Sequence, residues 1–453
     1  MPVTETGSHV VPLRVAFRAW FLISWQTFGG PAGQIAVMHR ELVEERRWIG
    51  ERRFLHAMSY CMLLPGPEAQ QLAIYSGWLL NGWMGGVIAG TLFVLPGLLT
   101  ILALSWVYVA HGDSTIVTGL LLGLAAAVIP IVVQAVLRLG GRAIRNRVLL
   151  GLAVLAFLAL AVLAVPFPVV VVAAGLAGWL IGRRRPDLVR LPEPAPGPDE
   201  VAPLIPDDAL HGAPRSARRS LGILAAGLVL WVAPVAAAYA LAGGRPTVFT
   251  DQGLFFGGMA LVTFGGAYAV LSYVAQAAVE HYGWLTAQEM VRGLALAETT
   301  PGPLIMVVQF VAFLGAFRDP AGLDPWVAAV LASLLVVWVT FVPCFLFIFL
   351  GAPYVERLRG DEGLSAALTG VSAAVVGVIA NLALYFTVHT LFAEAERAGW
   401  DHFGLLLPVW STFQWKPAVL GALGAVLTFG LHWPVLRTLG VCGLAGLAVA
   451  VLS

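Results

Sequence analysis

The sequence Leu64-Pro65-Gly66-Pro67-Glu68 interrupts a long apolar run, and Thr300-Pro301-Gly302-Pro303-Leu304 interrupts another in the second half of the chain. Neither Pro-Gly-Pro can continue a helix, because proline has no N–H to donate and glycine favours a non-helical turn. A bilayer tolerates freed backbone groups only where protein or a water-filled cavity surrounds them. Two such breaks at matching places in two halves predict a substrate site near the bilayer midplane.

The composition indicates a membrane protein with many spans. Of 453 residues, 59% are hydrophobic and 11% are charged, whereas soluble domains carry about 25% charged residues. We therefore expect an all-α polytopic membrane protein in contact with lipid. The net charge of +1 suggests no nucleic-acid partner. The three cysteines lie in apolar segments and give neither a disulfide framework nor a metal-ligand spacing.

The chain divides into four parts. We expect residues 1–182 to form a first repeat and residues 243–453 to form a second. Residues 183–220 are rich in Pro, Asp, Glu and Arg, which predicts a disordered cytoplasmic linker. Residues 221–242 form one additional transmembrane helix between the linker and the second repeat.

The two halves repeat each other at a constant offset of 236 residues. Residues 27–30, Thr-Phe-Gly-Gly, match residues 263–266, and the two Pro-Gly-Pro motifs match at the same offset. After the polar residues 318–324 the offset becomes 247, where Pro96 matches Pro343 and Gly123 matches Gly370. A gapless match that contains both motifs predicts an internal duplication.

Arginine-rich loops stay cytoplasmic, and their distribution predicts that the halves are inverted. The loop at 39–53 has five arginines, but its counterpart at 280–289 has no Lys or Arg. If every apolar segment between these loops crossed the membrane, the loops would end on the wrong sides. The count of crossings agrees with the predicted loop positions only if the segments with Phe-Gly-Gly and Pro-Gly-Pro each enter and leave the membrane on the same side. We expect four broken re-entrant hairpins, two in each half, with the N-terminus in the cytoplasm.

A half-helix that begins inside the membrane presents free N–H groups and a partial positive charge, which suits a small oxyanion. The sequence predicts such starts after residues 29–30, 67, 265–266 and 303. Nearby side chains that could donate hydrogen bonds are Thr27, Thr263, Thr299, Thr300, Gln70, Gln71, Tyr75 and Gln309. The alternative is that the glycine pairs only permit close helix packing.

Two carboxylates flank the breaks, and intramembrane carboxylates are usually functional. Glu68 and Glu298 could carry a coupling proton or cation; alternatively, they cap helices or repel the wrong anions. Arg14, Arg18 and Lys416 could neutralise a dianion, although snorkelling to the interface is the favoured expectation.

Motifs for chemistry on a substrate are missing. The only lysine is Lys416, so no P-loop exists, and neither H-E-x-x-H nor G-x-S-x-G is present. We expect no enzyme activity, no cofactor and no metal.

The run FGGPAGQIAVMHRELVEERRWIGERRF, followed by LLPGPEAQQLAIYSGW, resembles the first-half signature of the chromate transporter family. TFGGAYAVLSYVAQ, GWLT and ETTPGPLIMVVQF resemble its second-half signature. The resemblance covers nearly the whole chain, in the long two-domain form of the family. It implies export of chromate across a bacterial inner membrane and chromate resistance, with sulfate as the chemical analogue.

The resemblance also implies which residues line the site. They are Phe28, Gly29, Gly30, Pro65, Gly66, Pro67, Glu68, Gln71, Phe264, Gly265, Gly266, Glu298, Pro301, Gly302 and Pro303. Leu304 stands at the repeat position of Glu68, and Met306-Val307 at that of Gln70-Gln71, so we expect the first half to supply more of the contacts. Sulfate transport and an anion channel remain alternatives, and the coupling ion, the direction of transport and a homodimeric state remain open.

Overall fold

A computed structural model describes residues 11–28, 30–62, 64–189, 204–205, 217–264, 266–351, 362–398 and 404–452. These residues are predominantly helical, and seven of the helices are long and apolar enough to cross a membrane. The prediction of an all-α polytopic membrane protein is confirmed. One small antiparallel hairpin, in which Ala395–Ala398 (β1) pairs with Leu405–Pro408 (β2), was not predicted.

The first half contains seven helices, and its helix ends fall at the predicted breaks. They are α1 (Leu13–Gln26), α2 (Gly30–His39, continued by a π-helical turn at Arg40–Glu45), α3 (Glu51–Cys61), α4 (Glu68–His111), α5 (Thr115–Ala143), α6 (Arg147–Ala161) and α7 (Phe167–Arg184). Helix α4 kinks at Asn81 and Gly82, whose backbone angles are not helical. This kink is where the sequence divides two apolar segments.

Helix α8 (Ala217–Leu241) joins the halves and begins before the predicted residue 221. The second half then contains α9 (Val248–Val262), α10 (Ala267–Gln276, continued by a π-helical turn at Ala277–His281), α11 (Ala287–Thr299), α12 (Val307–Arg318), α13 (Pro325–Gly351), α14 (Glu362–Leu391), α15 (Trp415–Ala425, continued by a π-helical turn at Val426–Gly430) and α16 (Val435–Leu452).

The element order of the second half follows that of the first. In each half, the helix that starts at the Phe-Gly-Gly break ends in a π-helical turn. The polar residues that change the offset form the loop between α12 and α13, where the first half has the kink of α4 at Asn81 and Gly82.

Each half ends in a helical hairpin that packs against the other half. Helices α6 and α7 lie against α14, while α15 and α16 lie against α5. Glycines make these contacts possible: a Cβ on Gly178 would lie 2.9 Å from the Cα of Gly370, and one on Gly446 would lie 2.7 Å from the Cα of Gly123. Small residues let helix backbones approach closely in a membrane.

Helix α8 lies at the edge of the molecule, with none of its residues buried. It is attached to α13 by Trp231, which donates from Nε1 to the carbonyl of Val339 at 2.8 Å, and by Trp338, which donates to the carbonyl of Leu230 at 2.7 Å. The predicted linker also touches the first half: the amide of Ile205 donates to the carbonyl of Trp48 at 3.1 Å, and Ile205 is buried.

Candidate functional site

The breaks of the two halves meet through a reciprocal pair of hydrogen bonds. The amide of Gly66 donates to the carbonyl of Thr263, with 2.8 Å between N and O. The amide of Gly302 donates to the carbonyl of Thr27 at 2.9 Å. The Pro-Gly-Pro of each half is therefore hydrogen-bonded to the Phe-Gly-Gly break of the other half.

Glycine is required at the centre of both Pro-Gly-Pro motifs. The φ angles of Gly66 and Gly302 are +118° and +98°, in the left-handed region that favours glycine. Space is also short: a Cβ on Gly66 would lie 2.9 Å from the Sγ of Cys344, and one on Gly302 would lie 3.3 Å from the Cα of Gly97. Cys344 and Gly97 occupy equivalent positions in the two halves, at the offset of 247.

The Phe-Gly-Gly breaks are described in part. Gly30 and Gly266 also have positive φ angles, of 73° and 99°, whereas Gly29 and Gly265 lie outside the described residues. Phe28 and Phe264 are half-buried beside these breaks, and Phe264 packs against the apolar core of the second half.

The prolines begin the helices that follow them, but the two helices differ. Pro67 precedes α4, whereas Pro303 precedes a 3₁₀ turn at Leu304–Met306 that leads into α12. The first proline of each motif lies before these helix starts. The carbonyl of Pro65 accepts a hydrogen bond from Gln71, and the carbonyl of Pro301 faces Gly97. Of the two segments that follow a Pro-Gly-Pro, α4 is therefore the one that begins as a regular α-helix, whose N-terminus suits an anion.

The four predicted threonines use their hydroxyl protons within their own helices. Thr27 donates to the carbonyl of Ser24 at 2.8 Å, Thr263 to Met259 at 2.8 Å, Thr299 to Leu296 at 2.7 Å and Thr300 to Ala297 at 2.9 Å. Such local bonds to the backbone are common for threonine near helix ends. The four hydroxyls are therefore not available as donors in this conformation, and sequence reasoning could not have shown this.

Gln70 has the spare hydrogen-bonding capacity that the threonines lack. Its side chain is fully buried in the first turn of α4, and neither its Nε2 nor its Oε1 has a partner among the residues that the structure describes. The neighbouring Gln71 donates to the carbonyl of Pro65 at 2.7 Å. Unpaired buried amides cost about 1–3 kcal/mol, so Gln70 needs an explanation.

The other two predicted donors are engaged elsewhere. Gln309 donates to the carbonyl of Leu98 at 3.0 Å. Tyr75 packs between the rings of Tyr60 and Trp78. Sequence reasoning missed Gln34, a buried residue of α2 whose Nε2 donates to the carbonyl of Gly302 at 2.6 Å.

Glu298 is the buried carboxylate of the site. The hydroxyl of Tyr268 donates to its Oε1, while Oε2 has no partner among the described residues. The Tyr268 oxygen lies 4.0 Å from the position that a Cβ on Gly30 would take, so the pair reaches the start of α2. Sequence reasoning missed Tyr268, although it lies two residues after the second Phe-Gly-Gly.

The carboxylates of the two halves are not equivalent. Glu68 is the first residue of α4 and half-buried, and its repeat position holds Leu304. Glu298 has Met62 at its own repeat position. Arg14 and Arg18 line an open groove with Leu13, Phe17 and Ile88, and Lys416 lies 6.0 Å from the ring centroid of Trp415.

Helices broken within apolar segments, with buried polar groups collected at the breaks, define a polytopic membrane transport protein. The chain belongs to the chromate transporter family, whose model matches residues 15–179 and 250–447. The resemblance drawn from the sequence is thereby confirmed. The matched residues leave out the linker and the whole of α8.

Two relatives match over most of their length. A chromate transport protein of Pseudomonas aeruginosa is 34% identical over 390 residues, which cover 83% of this chain and 82% of that protein. A chromate transport protein of Cupriavidus metallidurans is 30% identical over 382 residues, which cover 83% and 84% of the two chains. No solved structure matches the chain.

Proposed function

We propose that this protein is a secondary active transporter that exports chromate across the bacterial inner membrane and so confers chromate resistance. Membership of the family and the names of the two relatives support chromate as the substrate. The single observation that carries the location of the site is the reciprocal bonding of Gly66 to Thr263 and of Gly302 to Thr27.

Chromate is a tetrahedral dianion, and a bare ion of this kind pays tens of kcal/mol to enter hydrocarbon. The N-terminus of α4 offers free N–H groups there, and the amide of Gln70, which has no partner among the described residues, offers a further donor. We propose that the oxyanion binds at the N-terminus of α4, next to the backbone around Gly66. The first half then supplies more of the substrate contacts than the second.

The halves would work as inverted repeats around this site. The terminal hairpins support a duplicated arrangement, because α6–α7 packs on α14 and α15–α16 packs on α5, which are equivalent contacts in the two halves. The four broken segments would then be re-entrant, with the N-terminus in the cytoplasm. Alternating access would follow from movement of one repeat against the other.

Glu298 would carry the coupling proton. An ionised carboxylate with one buried, unpartnered oxygen is unfavourable, and protonation removes its charge. Proton entry onto Glu298 would drive chromate outward.

The test is chromate flux in proteoliposomes that contain the purified protein. Chromate is supplied on one side, and a proton gradient, a voltage or neither is imposed. We expect concentrative uptake driven by a gradient, and its loss in Gly66→Leu. Gly141→Leu is the matched control, because a Cβ on Gly141 meets no atom within 4 Å.

The alternatives give different results in the same experiment. Strictly downhill flux at every gradient would mean an anion channel. Sulfate has the same charge and geometry, so stronger driven uptake of sulfate than of chromate would make it the physiological substrate.

A further inference from the structure

Four polar residues follow one another at intervals of four along α10 and its π-helical turn. They are Tyr268, Ser272, Gln276 and Glu280. Residues four apart lie on the same face of a helix. An α-helix has 3.6 residues per turn, so side chains spaced by four residues rotate gradually around the helix axis. A π-helical turn contains more residues per turn and therefore brings Glu280 back towards the same face.

A cavity shows that three of these side chains share a face. Ser272, Gln276 and Glu280 line a cavity of about 50 Å³ together with Asn381 and Tyr385 of α14. Leu405 and Leu406 of β2 close one side of the cavity. This volume holds more than one water molecule, since one water needs roughly 10–15 Å³ measured in this way.

The polar face joins the buried site to the surface. At its inner end Tyr268 bonds to Glu298. One turn further along, Ser272 accepts a hydrogen bond from Nδ2 of Asn381 at 3.5 Å. At the outer end Glu280 is exposed, and its charge acts on His389 of α14. The twelve helical steps from Tyr268 to Glu280 span about 18 Å.

The inner part of this face has no counterpart in the other half. The repeat positions of Tyr268 and Ser272 hold Ala32 and Ala36. An alanine side chain has no donor or acceptor, so it can neither pass a proton nor hold a water by hydrogen bonds. The polar face is therefore an asymmetric addition to a symmetric fold, which packing alone does not require.

We propose that the face formed by Tyr268, Ser272, Gln276 and Glu280 is a proton path from the surface to Glu298. The proposal rests on the proposed function and adds the route that the coupling proton takes. Glu280 collects protons at the surface, and water in the cavity, held by Gln276 and Ser272, passes them inward. The path opens on one side of the membrane only.

The transfer balances at each step. A hydronium ion at the cavity gives one proton to the chain of waters and becomes water. Tyr268 takes a proton on its oxygen from the water beside Ser272 as its own proton passes to Oε1 of Glu298. The carboxylate becomes a neutral carboxylic acid, and no other covalent bond changes. The charged group that acts on both Tyr268 and Glu298 from another helix is Arg138 of α5.

The test measures proton and chromate movements together in proteoliposomes, with a pH-sensitive dye inside and labelled chromate. We expect Ser272→Ala and Gln276→Leu each to slow proton-driven chromate accumulation and proton influx by about tenfold, equivalent to about 1.4 kcal/mol of barrier. Exchange of chromate for chromate, which needs no net proton movement, should stay within about twofold. Ser272→Thr, which keeps the hydroxyl, should restore the driven flux.

The matched control is Ser59→Ala, which makes the same substitution at an exposed position of α3. The Ser59 hydroxyl donates to the carbonyl of Leu55 within its own helix, so its loss should change neither flux. The proton path is overturned if Ser272→Ala and Gln276→Leu both keep wild-type coupling while the wild-type protein accumulates chromate. A wild-type protein that moves no chromate overturns the proposed function itself. A fall in exchange equal to the fall in driven flux would mean a folding defect and would also overturn the path.

Discussion

The amide of Gly66 and the carbonyl of Thr263 are 2.8 Å apart although they belong to opposite halves of the chain. Its counterpart is the bond from Gly302 to Thr27. Each Pro-Gly-Pro is thus held by the other half, so neither half can move its break without changing the site of both.

Gly66→Ala and Gly302→Ala should each destabilise the protein by about 1–3 kcal/mol, because a Cβ is strained at these φ angles. Transport should fall as well, since the Cβ of residue 66 would press on Cys344. Thermal unfolding in detergent and chromate flux are the measurements. Gly141→Ala, in open space on α5, should be neutral or slightly stabilising, and equal effects at all three positions would contradict this account.

Gln70→Leu should stabilise the protein and weaken substrate binding. It removes a buried amide without partners among the described residues, which is worth about 1–3 kcal/mol. The lost donor should raise the KM for chromate about tenfold for each 1.4 kcal/mol of binding energy. Unfolding temperature and initial uptake rates measure the two effects.

Gln309→Leu is the contrasting variant. Gln309 donates to the carbonyl of Leu98, so its removal should cost about 0.5–1.5 kcal/mol. If both glutamine variants lose stability equally, Gln70 has a hydrogen-bond partner within the folded protein and is not kept for a ligand.

Glu298→Gln should abolish accumulation driven by a proton gradient and preserve exchange of chromate for chromate. The glutamine amide is the same size as the carboxylic acid, but it cannot take up and release a proton at the pH values of the assay. Flux assays with and without a proton gradient separate the two modes. Glu396→Gln, at an exposed position in β1, should leave both modes unchanged. Driven accumulation by Glu298→Gln at the wild-type level would remove Glu298 from the coupling mechanism.

Glu289 should make stability depend on pH. Burial opposes its ionisation, but hydrogen bonds from Arg318 and Thr286 and the charge of Arg318 outweigh this and lower the pKa of Glu289. The Arg318 Nη2 lies 2.6 Å from the Glu289 Oε1. A carboxylate with a lowered pKa stabilises the folded state above its ordinary pKa, near 4.5, and this stabilisation is lost as the pH falls below it.

Wild-type protein should therefore unfold at a higher temperature than Glu289→Gln near pH 6, and the gap should close towards pH 3. Unfolding followed by circular dichroism at a series of pH values gives both curves. A gap that stays constant over this range would show that the pair does not titrate as described.

The breaks could be predicted because proline and glycine act locally. Pro65, Gly66 and Pro67 stop a helix by their own chemistry, and the helix ends fall at these residues. All-α membrane architecture followed from composition, and the family followed from the spacing of the motifs.

Contacts between the halves could not be predicted in this way. The bond from Gln34 to Gly302 and that from Tyr268 to Glu298 join helices that are distant in sequence. Helical periodicity indicates which face of a helix is apolar, but not which helix covers that face. Local hydrogen bonds also escaped prediction. The threonine hydroxyls were expected to be possible donors to a substrate, but they donate to backbone carbonyls of their own helices.

The packing of the last hairpin, α15–α16, on α5 determines the order in which the two halves can assemble during synthesis. The surface of α5 around Gly123 is covered by α15 and α16. The ribosome reaches Trp415 about 270 residues after the end of α5, which at 5–20 residues per second is a delay of roughly 15–55 s. Throughout this interval the first half is in the membrane with one face of a long helix uncovered, so the insertion machinery or lipid must cover that face until the last hairpin arrives.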